Sequence, residues 1–84
     1  VSYSVSIRRR AQDQLDALPR DTYEKVKAAL LALAEVPRPG GCKKLKDRGG
    51  WRVRVGDYRI IYEIDDSVRT VLILHVGHRH DVYR

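Results

Sequence analysis

The segment Trp51-Arg-Val-Arg-Val-Gly-Asp-Tyr-Arg-Ile-Ile-Tyr62 constrains the fold more than any other part of the chain. Trp51, Val53 and Val55 alternate with Arg52 and Arg54, the period of a half-buried β-strand. Gly56-Asp57 is a two-residue turn of the kind that accepts positive φ. Beyond it, Tyr58, Ile60 and Tyr62 alternate with Arg59, Ile61 and Glu63. A two-residue loop sets the register: Val55 opposes Tyr58, Arg54 opposes Arg59, and Trp51 opposes Tyr62. Arg52, Arg54 and Arg59 then share one face. Like charges directly opposite each other destabilise a sheet. A local rule broken inside an otherwise consistent hairpin points to a functional site. A phosphate is the simplest ligand to relieve three clustered guanidinium groups. The alternative is solvated surface charge, with Asp57 or Glu63 paired to one of the arginines. The hairpin by itself leaves these two readings even.

The rest of the chain supplies what such a hairpin packs against. Tyr3, Val5 and Ile7 alternate with serines, a short strand. From Arg8 to Leu18 the period becomes helical, with Ala11, Leu15 and Leu18 on one face, and Pro19 stops the helix. Asp21 is placed as an N-cap, with Glu24 in the capping-box position. A second helix follows to about Val36, with Tyr23, Val26, Leu30 and Leu33 lining one face. A connection of about five residues makes the pair an αα-hairpin whose apolar stripe must cover a sheet. The breaker-rich run Pro37-Arg-Pro-Gly-Gly41 separates a helical half from a strand half but is too short to link domains. Residues 43–48 read as a short basic strand running into a Gly49-Gly50 bend. Val71 to Val76 is almost wholly apolar, a central strand ended by Gly77. The expectation is a single α+β domain over residues 1–84. Its order is β-α-α-β-β-β: a mainly antiparallel four-stranded sheet with the helical hairpin on one face. The opposite, open face carries the arginines, and the tail from His78 lies at its rim.

Charge narrows the partner. Seventeen basic and 11 acidic residues give a net charge of +6, which suits a polyanion such as nucleic acid, or an acidic protein. The triplet Arg8-Arg9-Arg10 reads as solvated surface, or as part of a nucleic-acid footprint. The single cysteine, Cys42, excludes an internal disulfide and fits a reducing compartment. No apolar run reaches the length of about 20 residues that spans a membrane, so no membrane partner is expected. No His/Cys/Asp cluster has ligand spacing, so neither a metal nor a cofactor is expected.

Three blocks, Lys44-Leu-Lys46, the hairpin Trp51–Tyr62, and the ending Val76-Gly-His-Arg-His-Asp-Val-Tyr-Arg84, resemble the RelE/ParE superfamily of bacterial toxins, in its RelE-like branch. The resemblance covers essentially the whole chain. It implies a cytoplasmic endoribonuclease that enters the ribosomal A site, against the 16S rRNA, and cuts the exposed mRNA. It also implies an acidic, RelB-like cognate antitoxin. By motif, Arg52, Arg54, Arg59, Arg79 and Tyr83 take the positions of the family's working residues, and Lys44 and Lys46 those of further RNA contacts. Arg52 and Arg54 stand where the best-known member carries lysines. A lysine can lose its proton and act as a base; an arginine cannot.

Cleavage of this type uses the ribose 2′-OH as nucleophile. Preorganised arginines suit the stabilisation of the pentacoordinate dianion. Arg54, Arg59 and Arg79 are assigned that task, and Arg52 and Lys46 the neighbouring phosphates. Tyr83 stacks on a base, assists a proton transfer, or packs the tail. Histidine is the side chain suited to acid–base work near neutral pH, so His78 and His80 are candidates for RNA contact or acid–base work, with solvated tail as the alternative. His75 reads as a core-edge histidine, and Trp51 and Tyr62 as core. The competing function is non-enzymatic: inhibition of DNA gyrase, as in the ParE branch. A third reading is a chain that only binds its partner.

Overall fold

The computed structural model describes residues 2–46 and 49–78. The elements are β1 (Ser4–Ile7), α1 (Arg9–Asp16), α2 (Arg20–Glu35), β2 (Lys43–Lys44), β3 (Trp51–Val55), β4 (Tyr58–Asp65) and β5 (Thr70–His78). The α+β class is as expected, and the order is β-α-α-β-β-β-β, one strand more than the β-α-α-β-β-β expected. The sheet has five strands rather than four, because the short basic strand read over residues 43–48 joins the sheet edge as β2, shortened to Lys43–Lys44. The sheet order is β1-β5-β4-β3-β2. All pairings are antiparallel except β1 with β5, which run parallel in the register Ile7↔Ile73. A parallel pair needs a long crossover, and the helices with the β2–β4 meander supply it.

Both helices cover one face. Ala11 and Leu15 of α1 and Val26, Leu30 and Leu33 of α2 are buried against Ile60, Tyr62, Val71, Ile73 and Val76. On β4 those residues alternate with the ones on the opposite face, as a period of two requires, and on β5 the step from Ile73 to Val76 spans the register shift opposite Ile61 and Tyr62. Tyr3, at the head of β1, donates its N–H to the Ala34 carbonyl at 2.7 Å, tying the first strand to the end of α2. The Tyr62 hydroxyl, on a fully buried side chain, donates to the Pro37 carbonyl at 2.8 Å. Burial pushes the Tyr62 phenol well above its ordinary range, and neighbouring Cys42 adds to the shift.

Two sequence expectations need correction. Asp21 is not the N-cap of α2: Pro19 holds that position with extended backbone, and Asp21 lies in the first turn. The fixed φ of proline favours a helix start immediately after it, so only Ala17, Leu18 and Pro19 connect the helices. In the first turn the Asp21 carboxylate complements the helix dipole instead of capping it. Gly77 does not end the last strand, which continues through it to His78. Pairing with β4 holds glycine in extended form.

Candidate nucleic-acid interface

The β3–β4 hairpin forms in the expected register, with Val55↔Tyr58, Arg54↔Arg59, Arg52↔Ile61 and Trp51↔Tyr62. Gly56 takes φ 59° in the turn, a value that favours glycine. Because side chains alternate, Arg52, Arg54, Arg59 and Ile61 project from the face away from the helices. On β5, Gly77 pairs with Arg59 and His75 with Ile61. Arg54, Arg59 and Gly77 therefore form one row across three adjacent strands.

The members of that row differ in environment. Arg54 is exposed. Arg59 is only 9% exposed, and its buried Nε has no hydrogen-bond partner among the described residues. The face expected to be open is thus closed over Arg59; Ile61 beside it is 3% exposed. No carboxylate of the described residues lies within ion-pair distance of Arg54 or Arg59. Guanidinium stays charged at every accessible pH. A buried cation without a counter-charge costs several kcal/mol of desolvation, by order of magnitude. An anion docked in this row would restore both the charge balance and the missing hydrogen bond.

A cleft of about 290 Å³ adjoins the row, lined by Gly40, Gly41, Lys43, Arg52, Val53 and Arg54. Arg52 pairs with Lys43 of β2 as well as with Ile61. The Pro-Gly run of the sequence thus folds its glycines against β3, beside three cationic side chains.

The remaining candidates scatter. Lys44 opposes Trp51, and its Nζ lies 5.9 Å from the indole centroid. Arg38 covers the same ring at 5.1 Å. Trp51 is half-buried and packs on the core, so its face is occupied by cations of the protein itself. Lys46 is exposed in the loop leaving β2, which Leu45 closes by donating its N–H to the Gly50 carbonyl. His78 pairs with Tyr58, their rings edge to face at 5.5 Å. It belongs to the Val55–Tyr58 row, alternate to that of the arginines. Arg79, His80 and Tyr83 lie outside the described residues.

Sequence reading missed Gln14. Its Oε1 accepts the Val76 N–H at 2.8 Å, and its Nε2 lies 3.1 Å from His75 Nδ1. Strand β1 stops at Ile7, so β5 beyond Ile73 has no strand on that side. The β4–β5 register also shifts between Ile61 and Tyr62, whose partners are His75 and Ile73. The Gln14 amide fills the gap and holds the strand that carries Gly77. A polar residue on a helix of eight residues gives no sequence signal for such a task.

Comparison with known proteins decides the family. Residues 5–83 match the family model described as the ParE toxin of the type II toxin–antitoxin system, parDE. The chain belongs to the RelE/ParE toxin superfamily. It is 38% identical over 84 residues to Toxin RelG of Mycobacterium tuberculosis, covering 98% of this chain and 97% of that one. Its fold matches the toxin–antitoxin complex RelBE2 of the same organism at a TM-score of 0.84, with 34% identity over 94% of this chain and 100% of that one. It also matches the archaeal RelE–RelB complex of Pyrococcus horikoshii, again at 0.84, with 27% identity over 98% of this chain and 100% of that one. This RelE-like toxin is thus the toxin component of a toxin–antitoxin system.

Among the described residues, no group of three or more His, Cys, Asp or Glu side chains is placed to hold a metal ion. No helix among them is long and apolar enough to cross a membrane.

Proposed function

We propose that this RelE-like toxin is an endoribonuclease that cuts mRNA in the ribosomal A site, with the arginine row as its phosphate site. The observation that carries the reading is Arg59, nine-tenths buried, with an Nε that has no partner among the described residues, and facing Arg54 across the hairpin. In the reaction the 2′-oxygen bonds to the adjacent phosphorus, and its proton leaves to a base. The bond from phosphorus to the 5′-oxygen breaks, and that oxygen takes a proton. The products are a 2′,3′-cyclic phosphate and a 5′-OH. Between them lies a pentacoordinate dianion, and two fixed guanidinium groups stabilise it more than they stabilise the monoanionic substrate. Arg79, carried over by motif, adds a third cation, and Tyr83 stacks on a base or moves a proton. Arg52, Lys44 and Lys46 hold neighbouring phosphates of mRNA or of the 16S rRNA, and His78 adds a further RNA contact.

An acidic, RelB-like antitoxin is the proposed silencing partner. The net charge of +6 supports it, as do the structural relatives solved as RelB–RelE complexes. The matching family model carries the ParE name, so gyrase inhibition is the rival outcome. Cut sites mapped on an mRNA with and without ribosomes, beside a DNA supercoiling assay, separate the two. Ribosome-dependent cleavage supports the proposal; supercoiling inhibition without cleavage overturns it.

A further inference from the structure

Strand β2 ends before its neighbour does. It pairs Lys43 with Arg52 and Lys44 with Trp51, and among the described residues that ladder goes no further along β3. The two-residue turn Gly56-Asp57 makes Val55 and Tyr58 exchange hydrogen bonds, and the next pair, Arg54 and Arg59, does not. The N–H and C=O of Arg54 therefore point away from β4, towards the edge that β2 has left. Gly40 and Gly41 border that edge, and between them and β3 lies the cleft of about 290 Å³. A methyl group on either glycine would meet no atom within 4 Å, so the space beside both is open. Gly41 has φ 88° and needs to be glycine, but Gly40 has no positive φ. The side chains lining the cleft include Lys43, Arg52 and Arg54, which donate hydrogen bonds and accept none. Arg54 also belongs to the arginine row.

We propose that this cleft is a nucleobase slot: it takes the base of a nucleotide flanking the scissile phosphate and favours the carbonyl edges of guanine and uracil over adenine and cytosine. The inference rests on the ribonuclease reading for its ligand, but the slot itself is a property of the β2–β3 edge. Its volume lies at the bottom of the range of about 300–1,000 Å³ for small-molecule sites, room for one ring system and not for a longer ligand. Single-stranded RNA is read by splaying out a base, stacking it on aromatic or guanidinium planes and bonding its edge. Arg52 and Arg54 supply guanidinium planes, and two glycines let the ring approach bare backbone. Guanine presents O6 and N7 and uracil presents O4 as acceptors, whereas adenine and cytosine carry an amino donor on the same edge. Against side chains that only donate, the carbonyl edge wins. Because Arg54 serves both row and cleft, a phosphate held in the row brings its own nucleotide to the slot. A large side chain at Gly40 would take the place of the ring.

The test titrates wild-type toxin, Gly40→Leu and Lys43→Gln with the four ribonucleoside 5′-monophosphates and with inorganic phosphate. NMR follows the backbone N–H signals of Gly41 and, where present, Gly40. In the wild type both glycine signals should shift saturably with nucleotides and stay put with inorganic phosphate. The guanosine and uridine monophosphates should bind about fivefold tighter than the other two, the size of one net hydrogen bond. Gly40→Leu should lose the shift at Gly41 with its melting temperature held, since the new side chain enters open space. Lys43→Gln should keep the shifts and narrow the preference, because an amide accepts as well as donates. Equal affinity for all four nucleotides overturns the slot, and so does inorganic phosphate that moves the glycines as far as a nucleotide does. A leucine variant that binds like the wild type also overturns it. Cleavage of ribosome-bound mRNA completes the test, with the bases around the cut varied. A preference among monophosphates in a toxin that cuts no mRNA keeps the slot and overturns the ribonuclease.

Discussion

Arg38, in the loop after α2, grips Asp66, in the turn after β4, through two hydrogen bonds of 2.9 and 3.3 Å. Tyr3 donates its hydroxyl to the same carboxylate at 2.6 Å. One exposed aspartate thus joins three segments: the start of β1, the end of the helical layer and the β4–β5 turn. The Arg38 hydrogen bonds, followed by that of Tyr3, hold the Asp66 carboxyl below its usual range. A carboxylate with a depressed folded-state pKa stabilises the fold above its unfolded pKa, and that contribution disappears as pH falls through the folded value. Asp65, lowered chiefly by its Ser67 hydrogen bonds, acts in the same sense. Urea midpoints measured from pH 6 down to pH 3 should fall for the wild type. In Asp66→Asn the midpoint should start lower and fall less steeply. Parallel curves would remove Asp66 from the acid response.

Removing either cation of the facing pair should separate activity from stability. Arg54→Gln relieves a like-charge contact at an exposed site, so its stability should hold or rise by a few tenths of a kcal/mol, and Arg59→Gln also removes a buried cation without a counter-charge, so its stability should rise further. On the proposed ribonuclease mechanism, cleavage should fall about a hundredfold or more, because the lost charge would act on the dianion. RNA affinity should fall less than the rate does. Thermal melts with single-turnover kinetics read both effects. Full activity in both variants would take the hairpin out of the active site.

Gln14→Leu should destabilise the toxin by about 1–3 kcal/mol, the range for stranding a buried backbone donor. The stranded group is the Val76 N–H, and Val76 itself is 2% exposed. Hydrogen exchange should quicken at Val76 and Gly77 before it does in β3. Uniform loosening of the sheet would show that Gln14 does not act locally.

Tyr62→Phe removes the hydroxyl that serves Pro37 and should cost about 1 kcal/mol near neutral pH. The alkaline limb is the sharper readout. The Tyr62 phenol is raised in the fold, so the stability it contributes is complete below the unfolded tyrosine pKa of about 10 and is lost as pH rises beyond it. The phenylalanine variant lacks that loss. Its melting temperature should converge on that of the wild type above about pH 10, given that reference value.

The hairpin was legible because its information is local: a Gly-Asp turn of two residues and strict alternation set the register of Arg54 and Arg59. The helix faces were legible for the same reason, since Val26, Leu30 and Leu33 recur at helical spacing. What could not be read was set at a distance. The burial of Arg59 depends on what surrounds it in space, not on its neighbours in sequence. The part played by Gln14 depends on β1 ending one turn too soon to shield β5. Gly77 carries a turn signal in sequence, yet pairing with Arg59 keeps it in the strand. Pro19 displaced Asp21 as the helix start because a fixed φ outweighs a favourable side chain. Of the candidate site, the arginines and the lysines around β2 fall within the described residues, whereas Arg79 and Tyr83 do not.

The parallel pairing of β1 with β5 also bears on how the toxin is made. Residues 4–7 leave the ribosome first among the strands, but their sheet partner, residues 70–73, is translated last. Until then the place between β1 and β4 is vacant, and each of those strands lacks the neighbour that joins them. Contacts so far apart in sequence slow folding and cannot form on a partial chain. The helical hairpin forms early and waits with its apolar stripe uncovered. A growing toxin therefore has no finished sheet, and so no completed row of Arg54, Arg59 and Gly77. That interval leaves an antitoxin a window in which to meet the chain before its sheet is complete.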